Sequence, residues 1–126
     1  MINRKRVLLV DDDPDLLRLL KLRLVAAGFT VEAVAGSQEA LTRCVLFRPH
    51  VVVTDLRMDD IDGIGLFKIL REQYPTLPVI IITAHGTIED AVDATREGVF
   101  GFVSKPVNHS LLIEKLNEAI RYNGMT

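Results

Sequence analysis

Residues 7–13 read Val-Leu-Leu-Val-Asp-Asp-Asp, four apolar residues running straight into three acids. A short continuous run of branched side chains is the pattern of a strand buried on both faces, the kind found in parallel sheets. From Asp13 the period changes: Leu16, Leu17, Leu20, Leu24 and Ala27 fall on one helical face, and Gly28 supplies a stop. The first unit is therefore a strand followed by a helix, with carboxylates at the junction.

The same grammar repeats along the chain. Thr30 to Val34 alternates polar and apolar, as an edge strand with one wet side does, and Ser37 is placed to cap a helix running to about Phe47, closed by Pro49. Val51 to Val53 is fully apolar and ends on Thr54 and Asp55; a helix follows Gly63 with Ile64, Phe67, Ile69 and Leu70 as its apolar positions. Val79 to Ile82 is another buried run, Thr87 to Glu97 a helix poor in large apolar residues, and Phe100 to Val103 a short strand that Pro106 ends. Asn108 or Ser110 caps a last helix whose stripe is Leu111, Leu112, Leu116 and Ile120. Five β-α units imply an α/β, doubly wound domain: a five-stranded parallel sheet with helices on both faces. The polar second run belongs at an edge and the first, third and fourth in the middle, which the order 2-1-3-4-5 satisfies with right-handed crossovers.

Composition agrees with one soluble domain. The chain has 126 residues, 48% hydrophobic and 25% charged, which is enough to build one core. The one cysteine, Cys44, has no partner for an internal disulfide, and its plain reading is a small buried hydrophobe on a helix in a reducing compartment. No run approaches the roughly 20 apolar residues that span a bilayer, and the basic stretch Asn3–Arg6 leads to an apolar run too short for a signal peptide. A cytoplasmic protein with no membrane partner is expected. The net charge of −2 argues against direct nucleic acid binding by this segment.

The acids are unevenly placed. Of ten aspartates, eight lie in two segments, Asp11, Asp12, Asp13, Asp15 and Asp55, Asp59, Asp60, Asp62. In an open α/β sheet the ligand crevice lies beyond the carboxyl ends of the strands where strand order reverses, here between the first and third strands. Asp11, Asp12 and Asp55 all reach that crevice. Three carboxylates in one pocket repel unless a cation intervenes, and a small hydrated oxygen-seeking ion such as Mg2+ needs only one or two of them directly. Asp13 and Asp15 are read instead as acids at a helix N-terminus. Neither cluster is an EF-hand loop, because Leu16 and Leu22 in the first, and Met58 and Ile69 in the second, occupy obligatory positions. Thr83 ends the fourth strand with a hydroxyl, small Ala84 follows, and Lys105 follows the fifth strand. Asp, Asp, Asp, Thr and Lys at strand ends are what phosphoryl transfer to a carboxylate requires: an acid nucleophile, positive charge for the transferring oxygens, and a hydroxyl for the product.

These motifs (VLLVDDD, VVVTDLRM followed by Asp62-Gly63, IIITAHG and SKP) together resemble the receiver domains of bacterial two-component response regulators, over nearly the whole chain. The resemblance implies a flavodoxin-like, CheY-like fold over residues 5–122, with 123–126 a frayed or truncated tail. It implies Asp55 as phosphoacceptor, and Asp12, Asp55 and the main-chain carbonyl of Arg57 as ligands of Mg2+, with Asp11 acting through water. Lys105 would hold the phosphoryl oxygens across a cis bond to Pro106, Ala84 would bind them through its backbone, and Thr83 and Phe102 would form the switch. Arg57 and His85, two residues past Asp55 and Thr83, would set phosphoryl lifetime. Two positions depart from the commoner pattern: Asp59 stands where many members have Pro, and Phe102 lacks the hydroxyl of Tyr. DLRMDDIDG and TAHGTIEDAVDATREGVFGFVSKPV are similar to receivers of NtrC-type σ54-dependent transcriptional activators, which implies a sensor histidine kinase as partner, a homodimer or higher oligomer on activation, and AAA+ and DNA-binding domains that this sequence does not contain; it is read as an excised N-terminal domain in preference to a stand-alone regulator. Three other readings compete: a haloacid-dehalogenase-like Mg2+-dependent phosphatase using Asp11 and Asp13, weakened by Asp15 at the position of its usual Thr or Val; a flavin module, whose phosphate DDDPDLL would repel; and a scaffold receiver that works without phosphorylation, which the intact Asp12, Asp55, Thr83 and Lys105 disfavour.

Overall fold

A computed structural model describes residues 4–84 and 88–124. Its elements alternate as the periodicity requires: β1 (Arg6–Val10), α1 (Pro14–Ala26), β2 (Thr30–Val34), α2 (Ser37–Phe47), β3 (Val51–Asp55), α3 (Gly63–Gln73), β4 (Val79–Thr83), α4 (Ile88–Glu97), β5 (Gly101–Ser104) and α5 (His109–Gly124). The strands form one parallel sheet of order β2-β1-β3-β4-β5. The fully apolar runs of β1, β3 and β4 occupy the centre, and β2 and β5 are the edges.

Because side chains alternate across a strand, each central strand feeds two cores. Val7, Leu9, Val51, Val53, Ile80 and Ile82 pack with Leu20 and Leu24 of α1 and Leu112, Leu116 and Ala119 of α5. Leu8, Val10, Val52, Val79 and Ile81 pack on the other face with Ala40 and Cys44 of α2, Leu66, Phe67 and Leu70 of α3, and Ala94 of α4. Each fully buried aliphatic side chain contributes about 2 kcal/mol of transfer free energy, which makes these two layers the main source of stability.

Several local expectations shift. Ser37 is not the cap of α2 but its first residue; Gly36 holds the cap position and lends no side chain. Leu66, unassigned by pattern, is fully buried, while Ile69 is only half-buried, so the buried stripe of α3 runs through Leu66, Phe67 and Leu70. Ala27 is exposed just beyond α1, and Leu111 is 40% exposed, its place in the α5 stripe taken by Ala119. β5 starts one residue later than the apolar run, at Gly101. Asn108 rather than Ser110 caps α5, its Oδ1 accepting from the Leu111 amide at 3.0 Å. Gly28 and Gly98, past the ends of α1 and α4, take φ of 102° and 107°, a conformation glycine adopts without steric cost.

The register carries the consequence for function. Val10 pairs with Thr54, Asp55 with Ile82, and Thr83 with Ser104. The carboxyl ends of β1, β3, β4 and β5 therefore finish level, and the residues that end or follow them share one rim.

Candidate functional site

The ladder continues one residue beyond β1, where the Asp11 amide donates to the Val34 carbonyl at 3.1 Å. That anchors Asp11 with its side chain 1% exposed. Its two carboxylate oxygens have different duties. Oδ1 accepts from the Asp13 amide at 2.9 Å, shaping the turn into α1, and Oδ2 lies 3.0 Å from the Lys105 ammonium. Asp11 thus does cap a turn, which its place before the helix did not suggest. Asp13 behaves as expected: its carboxylate caps α1 by accepting from the amides of Asp15 and Leu16.

Asp55 ends β3, 7% exposed, with Oδ2 3.4 Å from the same Lys105 Nζ. Lys105 bridges two carboxylates that arrive from different strands. Asp12 stands exposed at the mouth, and one carboxylate oxygen from each of Asp11, Asp12 and Asp55 lies within 4.8 Å of the others. The loop acids Asp59, Asp60 and Asp62 take no part in this group. Asp62 instead caps α3 by accepting from the Gly65 amide at 2.7 Å.

Burial raises the Asp55 carboxyl above its ordinary pKa, and the neighbouring Asp11 charge adds to this; Lys105 and the Arg57 backbone amide pull in the opposite direction. For Lys105, burial disfavours the ammonium, but its bond to Asp11 and the charges of Asp11 and Asp55 outweigh it and hold the pKa above 10.5. The pocket is thus an anionic centre in which Lys105 offsets only part of the rise at Asp55. Three carboxylates converging without a soft donor fit a hard divalent ion such as Mg2+.

The remaining expected residues surround this centre. Thr83 ends β4, buried, and its carbonyl accepts from the Lys105 amide at 2.9 Å, tying two parts of the rim together. Ala84 is exposed just past it, and Arg57 is exposed in the loop after β3. Phe102 is half-buried on β5 against the core layer of α3 and α4. The Lys105–Pro106 bond is cis, as expected. His85 lies outside the described residues. Sequence reasoning missed the direct Asp11–Lys105 pair, 94 positions apart, and the role of Asp60, which accepts from the Ser37 and Gln38 amides of α2. Gly36 at the α2 cap, with no side chain to offer, was the available hint of the latter.

The family model for the response regulator receiver domain matches residues 7–117. This chain belongs to the response regulator receiver family. The receiver is 46% identical over 118 residues to the transcriptional regulatory protein GlrR of Escherichia coli (strain K12), covering 94% of this chain and 27% of that protein. It is 35% identical over 121 residues to the DNA-binding transcriptional regulator NtrC of Proteus hauseri, covering 96% and 26%. Among solved structures, NtrX from Brucella abortus superposes with a TM-score of 0.91 at 30% identity, covering 98% of the receiver and 28% of that chain. The receiver therefore spans about a quarter of the length of the curated relatives it matches. Receivers are not conventional enzymes. The phosphatase alternative fits poorly in any case, since its nucleophile would be Asp11, buried and engaged through both oxygens.

Proposed function

We propose that Asp55 accepts a phosphoryl group from a phosphohistidine of a sensor histidine kinase, and that the acyl phosphate switches an output surface. The observation that carries this reading is the convergence of Asp11, Asp12 and Asp55 on one point, with Lys105 bridging two of them. An Asp55 carboxylate oxygen attacks phosphorus, the P–O bond forms as the P–N bond breaks, and the imidazole leaves with the electron pair. Asp12, Asp55 and the Arg57 carbonyl would hold Mg2+, with Asp11 acting through water. When bound, that ion neutralises charge on the transferring oxygens. Lys105 exchanges its contact with Asp55 for a phosphoryl oxygen while Asp11 keeps it charged and oriented. The Ala84 amide and the Thr83 hydroxyl bond the remaining oxygens.

Movement of Thr83 toward the product leaves room for Phe102 to turn inward, and the face formed by α4, β5 and α5 repacks. Arg57 and His85, two residues past Asp55 and Thr83 in the sequence, are assigned the setting of phosphoryl lifetime; unchanged dephosphorylation in Arg57→Ala and His85→Ala contradicts that role. In this reading residues 5–122 are the receiver unit of a cytoplasmic, NtrC-type, σ54-dependent transcription regulator, whose AAA+ and DNA-binding parts act beyond it and which forms a dimer or higher oligomer on activation. The similarity to GlrR and NtrC supports that placement.

Intact mass after incubation with acetyl phosphate and Mg2+ tests the chemistry. Wild type gains one phosphoryl group, and Asp55→Asn and metal-chelated samples gain none. A gain in Asp55→Asn equal to wild type contradicts the reading.

A further inference from the structure

We infer that Asp60 and Ser37 form a latch between α2 and the loop after β3, and that this latch positions the loop's metal-binding backbone. The inference rests on the proposed Mg2+ site and adds two positioning residues to it.

Helix α2 begins without a side-chain cap of its own, since Gly36 occupies that position. Its first two amides are instead satisfied from a distant loop: Asp60 Oδ1 accepts from the Ser37 amide at 3.3 Å, and Oδ2 from the Gln38 amide at 3.0 Å. A third bond runs the other way, from the Ser37 hydroxyl to the Ile61 carbonyl at 2.6 Å. Ser37 is fully buried, so this hydroxyl is held by the protein rather than by water. A Cβ added at Gly36 would lie 3.1 Å from Asp60 Oδ2, so glycine lets the carboxylate seat across the helix end. The contact is favourable twice over, because amides without intrahelical partners and the positive end of a helix dipole both welcome a carboxylate.

The loop so held runs from Leu56 to Asp62, and its other constraint is local. The Gly63 amide donates to the Leu56 carbonyl at 2.8 Å, closing the loop at its base. With the base fixed, the apex is fixed by α2. Arg57 lies between these two anchors, one residue past Leu56 and three before Asp60, and its amide already faces the Asp55 carboxylate. Releasing the apex lets the Arg57 peptide reorient, so Mg2+ loses one pre-set oxygen donor while Asp11, Asp12 and Asp55 stay in place. Groups that orient ligands affect metal affinity although they never touch the ion. Asp59 contributes none of the three bonds and carries the same charge one residue away, which makes it the internal control.

Mg2+ titration followed by amide NMR shifts, on wild type, Asp60→Ala, Asp60→Asn, Ser37→Ala and Asp59→Asn, tests this. Asp60→Ala and Ser37→Ala are expected to weaken Mg2+ binding on the order of tenfold. Asp60→Asn, which keeps one acceptor oxygen, recovers part of the loss, and Asp59→Asn stays at wild-type affinity. In the metal-free protein, hydrogen exchange rises at both the Ser37 and Gln38 amides in Asp60→Ala, at one of the two in Asp60→Asn, and at neither in Asp59→Asn. Wild-type affinity in both Asp60→Ala and Ser37→Ala overturns the latch; equal weakening in Asp59→Asn assigns the effect to charge and overturns it too. Wild type that shows no saturable Mg2+ binding contradicts the underlying site, and the latch falls with it. If Asp60→Ala does not fold, Ser37→Ala decides alone.

Discussion

Asp55 is held at some cost to the fold. Its carboxyl is buried beside Asp11, and both effects raise its pKa above 3.8, with Lys105 only a partial counterweight. An acid whose pKa is higher folded than unfolded favours the native state when protonated, so stability is full below the unfolded pKa and falls as pH rises through the native one. Asp55→Asn is therefore expected to stabilise the metal-free domain at neutral pH by about 1 kcal/mol, or a midpoint gain of about 4 °C. Lys105 keeps its 3.0 Å partner Asp11 in that variant, so no buried ammonium is orphaned. Thermal melts of both proteins across pH check the sign: the gap closes toward pH 3 and opens toward pH 7. A constant gap contradicts the electrostatic origin. Cys44 gives a second prediction at this scale. Burial pushes its thiol up to about 11, so a thiol reagent at pH 8 leaves it unmodified in the native protein and labels it fully in denaturant.

At the level of elements, the turn from β3 into α3 is tightly constrained. A Cβ at Gly63 would lie 2.5 Å from the Asp55 carbonyl and 3.1 Å from Leu56 Cα, both backbone atoms that cannot step aside. Gly63→Ala is expected to cost about 3 kcal/mol in denaturant unfolding and to weaken Mg2+ binding, because the displaced backbone is that of Asp55, the proposed acceptor. Element types were legible because apolar runs and helical stripes are strong signals, whereas the pattern erred where one helical face meets two neighbours. Leu66 and Ile69 are both apolar at compatible spacing, and only the packing of α3 against β3, α2 and α4 decides which is buried. The α2 cap was misread for a related reason. A serine next to a helix start is an ordinary local cap; Gly36 before it hints at a cap from elsewhere, but does not identify Asp60, 23 positions on, as the acceptor for the Ser37 amide, nor Ile61 as the partner of the Ser37 hydroxyl.

Over the whole molecule, the site follows from topology. Parallel strands in the order β2-β1-β3-β4-β5 bring Asp11, Asp55, Thr83 and Lys105 to one rim although they are spread over most of the chain. Strand ends and their order could be read from the sequence, so the gathering of the carboxylates could be read too. The distances could not. That Lys105 reaches both Asp11 and Asp55, and that Asp12 stays exposed while Asp11 is sealed, depend on register and on the turn at Lys105. The pattern of chemistry was therefore legible and its division of labour was not. In the proposed function this rim delivers a phosphoryl group to Asp55 alone among the ten aspartates. An acyl phosphate reduced with borohydride leaves homoserine at the acceptor position. After treatment with acetyl phosphate and Mg2+, peptide mass spectrometry is expected to find homoserine at position 55 and nowhere else; homoserine at position 11, 12, 59 or 60, with Asp55 intact, would contradict the account.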